Sequence, residues 1–124
     1  MVINSADGGA EPLLLTSRVG PHNTTIGLTG ELDLATAGQL PRLVRALAPE
    51  DCRWVHLDLA GLSFLDAAGL TALIRVNALV DQRSGRMTVG RPQPMTRMLF
   101  ELTAFPVPVL DPAEESFEVV RQSA

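Results

Sequence analysis

The 124-residue chain has no tyrosine, one tryptophan and four phenylalanines, so its interior has to be built from Leu, Val, Ile and Ala. It has one cysteine, Cys52, which cannot form an internal disulfide and suits a reducing compartment. Basic clusters are missing too. Ten Arg and Lys against fourteen acids leave a net charge of −4, the wrong sign and distribution for a nucleic-acid surface. No apolar run approaches the ~18 residues that cross a bilayer. The opening "MVINSADGGAEP" lacks the basic-then-apolar order of a secretory leader. These absences predict a small, soluble, cytoplasmic protein with no membrane insertion and no nucleic-acid partner.

Catalytic equipment is equally sparse. His22 falls in a turn and His56 alternates with apolar strand residues, without ligand-like spacing. Cys52 precedes a strand and reads as a small structural thiol. "GLTGEL" (27–32) has two glycines but neither the spacing nor the lysine of a phosphate-binding loop. Glu31, Asp33, Asp58 and Asp66 can approach one another at one sheet edge, yet acids at strand ends and caps usually cap or face water. The residues therefore assign no catalytic group, no metal site and no cofactor, and the chain is expected not to be an enzyme.

What the chain does contain is regular punctuation. "LLLTSRV" (13–19) and "TTIGLTG" (24–30) flank the turn "GPHN" and predict an antiparallel strand pair. In 33–49, Leu40, Leu43, Val44 and Leu47 recur at helical spacing, and Thr36 with Gln39 has the form of a capping box. Pro41 is too deep for a helix that starts at that cap, so either the first turn is kinked or the regular helix begins near the proline. "RWVHLDLAGL" (53–62) alternates: Val55, Leu57 and Leu59 on one face, Trp54, His56 and Asp58 on the other.

Asp66 stands where an N-cap belongs, before a helix with the stripe Leu70, Leu73, Ile74, Asn77 and Val80, widened by Ala72, Val76 and Leu79 and ending with Gly85 at C′. "RMTVG" (86–90) is a short strand. "PMTRMLFEL" (94–102) is a helix with Pro at N1 and Met95, Met98, Leu99 and Leu102 on one side. "VPVL" (107–110) is a Pro-limited edge strand, and "DPAEESFEVVRQ" (111–122) opens like another capped helix. The order β-β-α-β-α-β-α-β-α predicts a single α/β domain with a mixed sheet of about five strands. Residues 1–11 are expected to be a flexible tail, 12–121 the domain and 122–124 a C-terminal tail.

"TGELDLATA", "VHLDLAGLSFLDAAGLTAL" and "MTRMLFELTAF" together resemble the STAS family, typified by bacterial anti-sigma factor antagonists, over roughly 12–121. The resemblance implies a mixed sheet packed with about four or five helices and a partner-switching role. In the family the unphosphorylated form binds an anti-sigma factor, typically a serine kinase, and the sigma factor is released. The kinase phosphorylates the Ser or Thr after the corner Asp and binding is lost.

That Asp is Asp66 here, the acceptor position is Ala67 and the next is Ala68. The expected module is therefore not switched by phosphate at the usual position; Ser63 and Thr71 are the nearby hydroxyls. The partner-contact set implied is Asp33, Thr36, Leu65, Asp66, Ala67, Ala68, Gly69 and Thr71. The expected partner is an anti-sigma factor of serine kinase type or a related signalling protein, met by a monomer or weak homodimer. The alternative is a structural subunit of a signalling scaffold or of a lipid-transport ATPase complex.

Overall fold

The structure, a computed structural model, describes residues 2–5, 13–47 and 52–110. The expected helix over 111–122 and the C-terminal tail lie outside the described residues. The elements are β1 (Val2–Ser5), β2 (Leu13–Val19), β3 (Asn23–Leu32), α1 (Gln39–Leu47), β4 (Trp54–Leu65), α2 (Ala67–Gln82), β5 (Arg86–Gly90), α3 (Pro94–Leu102) and β6 (Val109–Leu110). The six strands form one sheet in chain order, β1-β2-β3-β4-β5-β6. The β1–β2 and β2–β3 pairs are antiparallel; β3–β4, β4–β5 and β5–β6 are parallel. The mixed α/β fold read from the sequence is the one observed.

One expectation is overturned at the amino end. Residues 2–5, placed in a flexible tail, form β1, with Val2 opposite Thr16 and Ser5 opposite Leu13. β2 would otherwise leave a row of unpaired backbone groups, and a short edge strand satisfies them.

The sheet core follows the predicted alternation. Val55, Leu57 and Leu59 are buried on β4, with Ile26 and Leu28 on β3, Leu13 and Leu15 on β2, and Val89 on β5. The β3–β4 and β4–β5 connections bring α1 and α2 into contact with each other against the sheet. α1 contributes Leu40, Leu43 and Val44; α2 contributes Leu73, Val76 and Val80. Pro41 is harmless because α1 starts at Gln39, which leaves the proline in the first turn, where a backbone N–H would have no helical partner and its absence costs no bond. Ile74, assigned to the buried stripe of α2, is exposed; Gly69, Ala72, Leu73, Val76 and Val80 form the buried line instead. α2 ends with Ser84, not Gly85, in the left-handed region (φ 60°). Ser84 N–H donates to Asp81 O and Gly85 N–H to Val80 O, a Schellman closure.

Trp54, His56 and Thr88 are all buried and joined by polar contacts. Trp54 Nε1–H donates to Thr88 Oγ1 at 2.7 Å, and the same oxygen lies 2.7 Å from His56 Nδ1. Indole is a donor only, so the Thr88 oxygen accepts from Trp54 and its own proton is available to His56. The Arg86 guanidinium sits 5.2 Å from the Trp54 ring centroid.

α3 departs most from its reading. Its predicted stripe exists, but Met95, Met98 and Leu102 face solvent, and Thr96 and Phe100 are the buried residues. Phe100 stacks on Phe105 at 4.1 Å between centroids, which turns that side of the helix inward.

Candidate functional site

β4 runs three residues past its predicted end and delivers Leu65 to the edge of the sheet, and the chain then turns at Asp66. Asp66 is extended (φ −107°, ψ −173°), the backbone of an N-cap, and its Oδ1 accepts the Gly69 N–H at 2.8 Å. Its second oxygen has a separate job. Asp66 Oδ2 accepts the Leu34 N–H at 3.2 Å, from the connection between β3 and α1. Its own N–H donates to Leu32 O at 3.4 Å. One carboxylate thus caps a helix and ties two loops together, with its charge at the positive end of α2.

Gly69 explains how closely the loops meet. A Cβ at this position would lie 2.0 Å from Leu32 O, so only glycine fits beneath that carbonyl. The β3–α1 connection has its own fastening. Asp33 Oδ1 accepts from Ala35 N–H at 3.0 Å and Thr36 N–H at 3.1 Å. Thr36 Oγ1 accepts from Asp33 N–H at 3.0 Å and donates to Glu31 O at 2.8 Å. Thr36 and Gln39 do not form the expected capping box. The hydroxyl is taken up by Asp33 and Glu31, and Gln39 N–H bonds the Thr36 carbonyl instead. Asp and Thr compete well for nearby backbone N–H groups, and here they win over the helix end.

The two fastened connections enclose an open groove of about 360 Å³. Ala67, Ala68, Thr71 and Ala72 of α2 line one side; Leu34, Ala37 and Gly38 line the other, and Arg75 is the one charged side chain of the lining. Leu34 is pushed out of the turn and is 84% exposed. Thr71 Oγ1 donates back to Ala67 O at 2.9 Å. The groove offers shape, one aliphatic prong, one hydroxyl and one cation.

Of the residues singled out in the sequence, Ala67, Ala68 and Thr71 come together in this groove, held by Asp66 and Asp33. Thr36 and Gly69 are buried and shape the loops from beneath. Leu65 lies elsewhere, in a second apolar groove against α3. Ser63 Oγ donates to Gly30 O at 3.0 Å. Among the four acids expected near one edge, Asp33 and Asp66 meet at the corner, whereas Asp58 forms an ion pair with Arg91. Leu34, Ala37, Gly38 and Arg75 were not foreseen. The available hint was Leu34 itself, an apolar residue inside the polar turn "ELDLATAG" with no strand or helix to bury it.

Comparison with known proteins bears on the fold that carries this corner. A family model described as "Mlab, STAS domain" matches residues 16–109. An anti-sigma F factor antagonist of Paenibacillus polymyxa is 28% identical over 79 residues, 63% of this chain and 68% of that one. An anti-sigma factor antagonist from Mycobacterium paratuberculosis has a solved structure that aligns with a TM-score of 0.74 at 21% identity, covering 96% of this chain and 99% of that one. The anti-sigma factor antagonist SpoIIAA in its unphosphorylated form aligns with a TM-score of 0.71 at 20% identity, covering 86% and 96%. At these identities the structural likeness shows the fold.

Proposed function

The chain belongs to the STAS family, in its anti-sigma factor antagonist type, and on that premise we propose that it is a protein-binding module whose contact surface is the groove at the Asp66 corner. The partner proposed is an anti-sigma factor of the serine kinase type. The observation that carries the reading is the pairing of a bare floor with fixed walls. Ala67 and Ala68 let a partner approach the helix backbone, while Asp66 holds Leu34 and the α2 N-terminus in one arrangement. A surface that is already ordered costs little to bind.

The same alanines set the regulation. A phosphoryl group at position 67 would bring nearly two negative charges beside Asp66; Ala67 has no oxygen to receive it. The contact is therefore constitutive with respect to that position. A fixed structural subunit is the second reading, favoured by the same residue, since a permanent contact needs no acceptor.

The test is titration against a purified anti-sigma kinase, with and without ATP. The native chain binds equally well in both, and Ala67→Glu weakens binding by about thirtyfold or more through a second buried carboxylate. Ala67→Ser acquires ATP-dependent phosphate and then loses the kinase. Phosphate appearing on Ser63 or Thr71 of the native chain together with loss of binding relocates the switch. Ala67→Glu binding as tightly as native removes the corner from the interface.

A further inference from the structure

We propose that α3 is a self-association helix, on which a second copy of this chain docks antiparallel about a two-fold axis between Met98 and Leu99. The first observation is an apolar face turned to water. Met95, Met98 and Leu102 are 69%, 53% and 76% exposed on a nine-residue helix. Phe64 of β4 is exposed as well. With Leu65 and Leu99 these residues border a groove of about 120 Å³. Contiguous apolar surface rimmed by polar residues marks an interaction site, and the unbranched methionines adapt to whatever packs on them.

The charge pattern selects the occupant. Arg97 and Glu101 are both exposed and sit one turn apart on the flank beside Met98. Neither side chain has an ion pair or hydrogen bond among the described residues. Their order, the cation before the acid, is the weaker one for pairing within a helix. In an antiparallel pair of identical helices each flank faces its own copy, so a flank with one charge of each sign is complementary to itself. With the axis between Met98 and Leu99, Met95 lies opposite Leu102 of the second copy. Arg97 falls one residue, about 1.5 Å along the axis, out of register with Glu101 of the second copy, within reach of both long side chains.

A helix this short buries less than a standard interface, and each copy carries a net charge of −4. The pair is accordingly weak, with a dissociation constant on the order of 100 µM. The helix lies outside the corner groove, so this association and binding at Asp66 stand or fall separately.

Sedimentation equilibrium on the full chain, from about 10 µM to about 1 mM, reads the association. Met98→Glu abolishes the dimer while leaving the far-ultraviolet circular dichroism and the melting temperature near native, because the residue is exposed. Arg97→Glu and Glu101→Arg each weaken self-association about tenfold, through two like-charge contacts per dimer. An equimolar mixture of these two variants associates as tightly as the native chain, since every contact is then again between opposite charges, and the double variant does so alone. A native chain that stays monomeric at about 1 mM overturns the proposal. So does a mixture that associates no better than its components, or a dimer indifferent to Met98→Glu. A monomeric native chain that binds a different protein through these same residues assigns the face to that protein, and overturns the proposal equally.

Discussion

α2 and α3 enter the domain alike, each after a strand of the parallel half of the sheet, yet they finish with opposite exposures. α2 is 16 residues long, capped by the Asp66 carboxylate, and buries Leu73 and Val76 completely. α3 is nine residues long, begins after Gln93 without a side-chain cap, and presents its larger apolar side to water. The difference lies in what orients each helix. α2 is pinned by main-chain approach, Gly69 under the Leu32 carbonyl, which leaves no rotational choice. α3 is held by the Phe100–Phe105 stack, by buried Thr96 and by Gln93 Nε2–H donating to Ala60 O at 2.8 Å, contacts that fix which small side turns inward and leave the methionines outside. An amphipathic stripe states that a helix has an apolar face; neighbouring backbone decides where that face points.

The sharpest way to break the contrast is at its pin. Gly69→Ala adds a good helix former, worth about 1 kcal/mol on propensity alone. The clash with Leu32 O outweighs this, and the expected loss is about 4 kcal/mol or more, a value reserved for steric failures in the core. Urea unfolding measures it; a stability gain would show that α2 can slide away from β3.

Next in size is truncation of the helix faces themselves. Leu73→Ala on α2 and Leu57→Ala on β4 each cost about 2–5 kcal/mol. Leu102→Ala on α3 costs less than about 0.5 kcal/mol, as exposed positions do. Matched denaturant curves at low protein concentration compare the three, and a Leu102→Ala loss equal to that of Leu73→Ala would mean that α3 packs inward after all.

The caps give smaller effects. Asp66→Ala removes the acceptor for both Gly69 N–H and Leu34 N–H and is expected to cost about 2 kcal/mol. Asn has one carbonyl oxygen where Asp has two, so Asp66→Asn keeps the cap, releases Leu34 and costs about 0.5–1 kcal/mol. Gln93→Ala, at the uncapped start of α3, removes the bond from Gln93 Nε2–H to Ala60 O and costs about 0.5 kcal/mol. Equal melting temperatures for Asp66→Asn and native would show that the Leu34 bond contributes nothing.

Much of the framework was legible in the residues. Alternation in 53–62 located the central strand, because each β residue turns to the opposite face. Asp66 was recognisable as a cap from its place between an apolar run and a helical stripe, and Pro94 as a helix start. What stayed hidden depended on residues distant in the chain. β1 is four residues whose only reason to be a strand is the open edge of β2. β4 continues through Ser63 and Phe64 because β3 pairs there after two register shifts, at Gly27/Thr29 and Gly30/Glu31. Half of the groove comes from Leu34, Ala37, Gly38 and Arg75, which no local pattern joins to Ala67. The floor of the site was readable and its wall was not, because the wall is made by a hydrogen bond spanning thirty-two positions, Leu34 to Asp66.

The buried Trp54 gives the molecule a built-in optical reporter. It is the chain's one tryptophan, its indole N–H is held by Thr88, and His56 and Arg86 flank its ring. It sits at the first residue of β4, whereas Asp66 follows the last, roughly 35 Å on at about 3.3 Å per residue. Its emission is therefore blue-shifted while the sheet is intact and moves to the red only when that core opens to water. Occupation of the corner around Asp66 leaves the spectrum unchanged, so any change in emission induced by a partner bound there signals a rearrangement transmitted along the central strand.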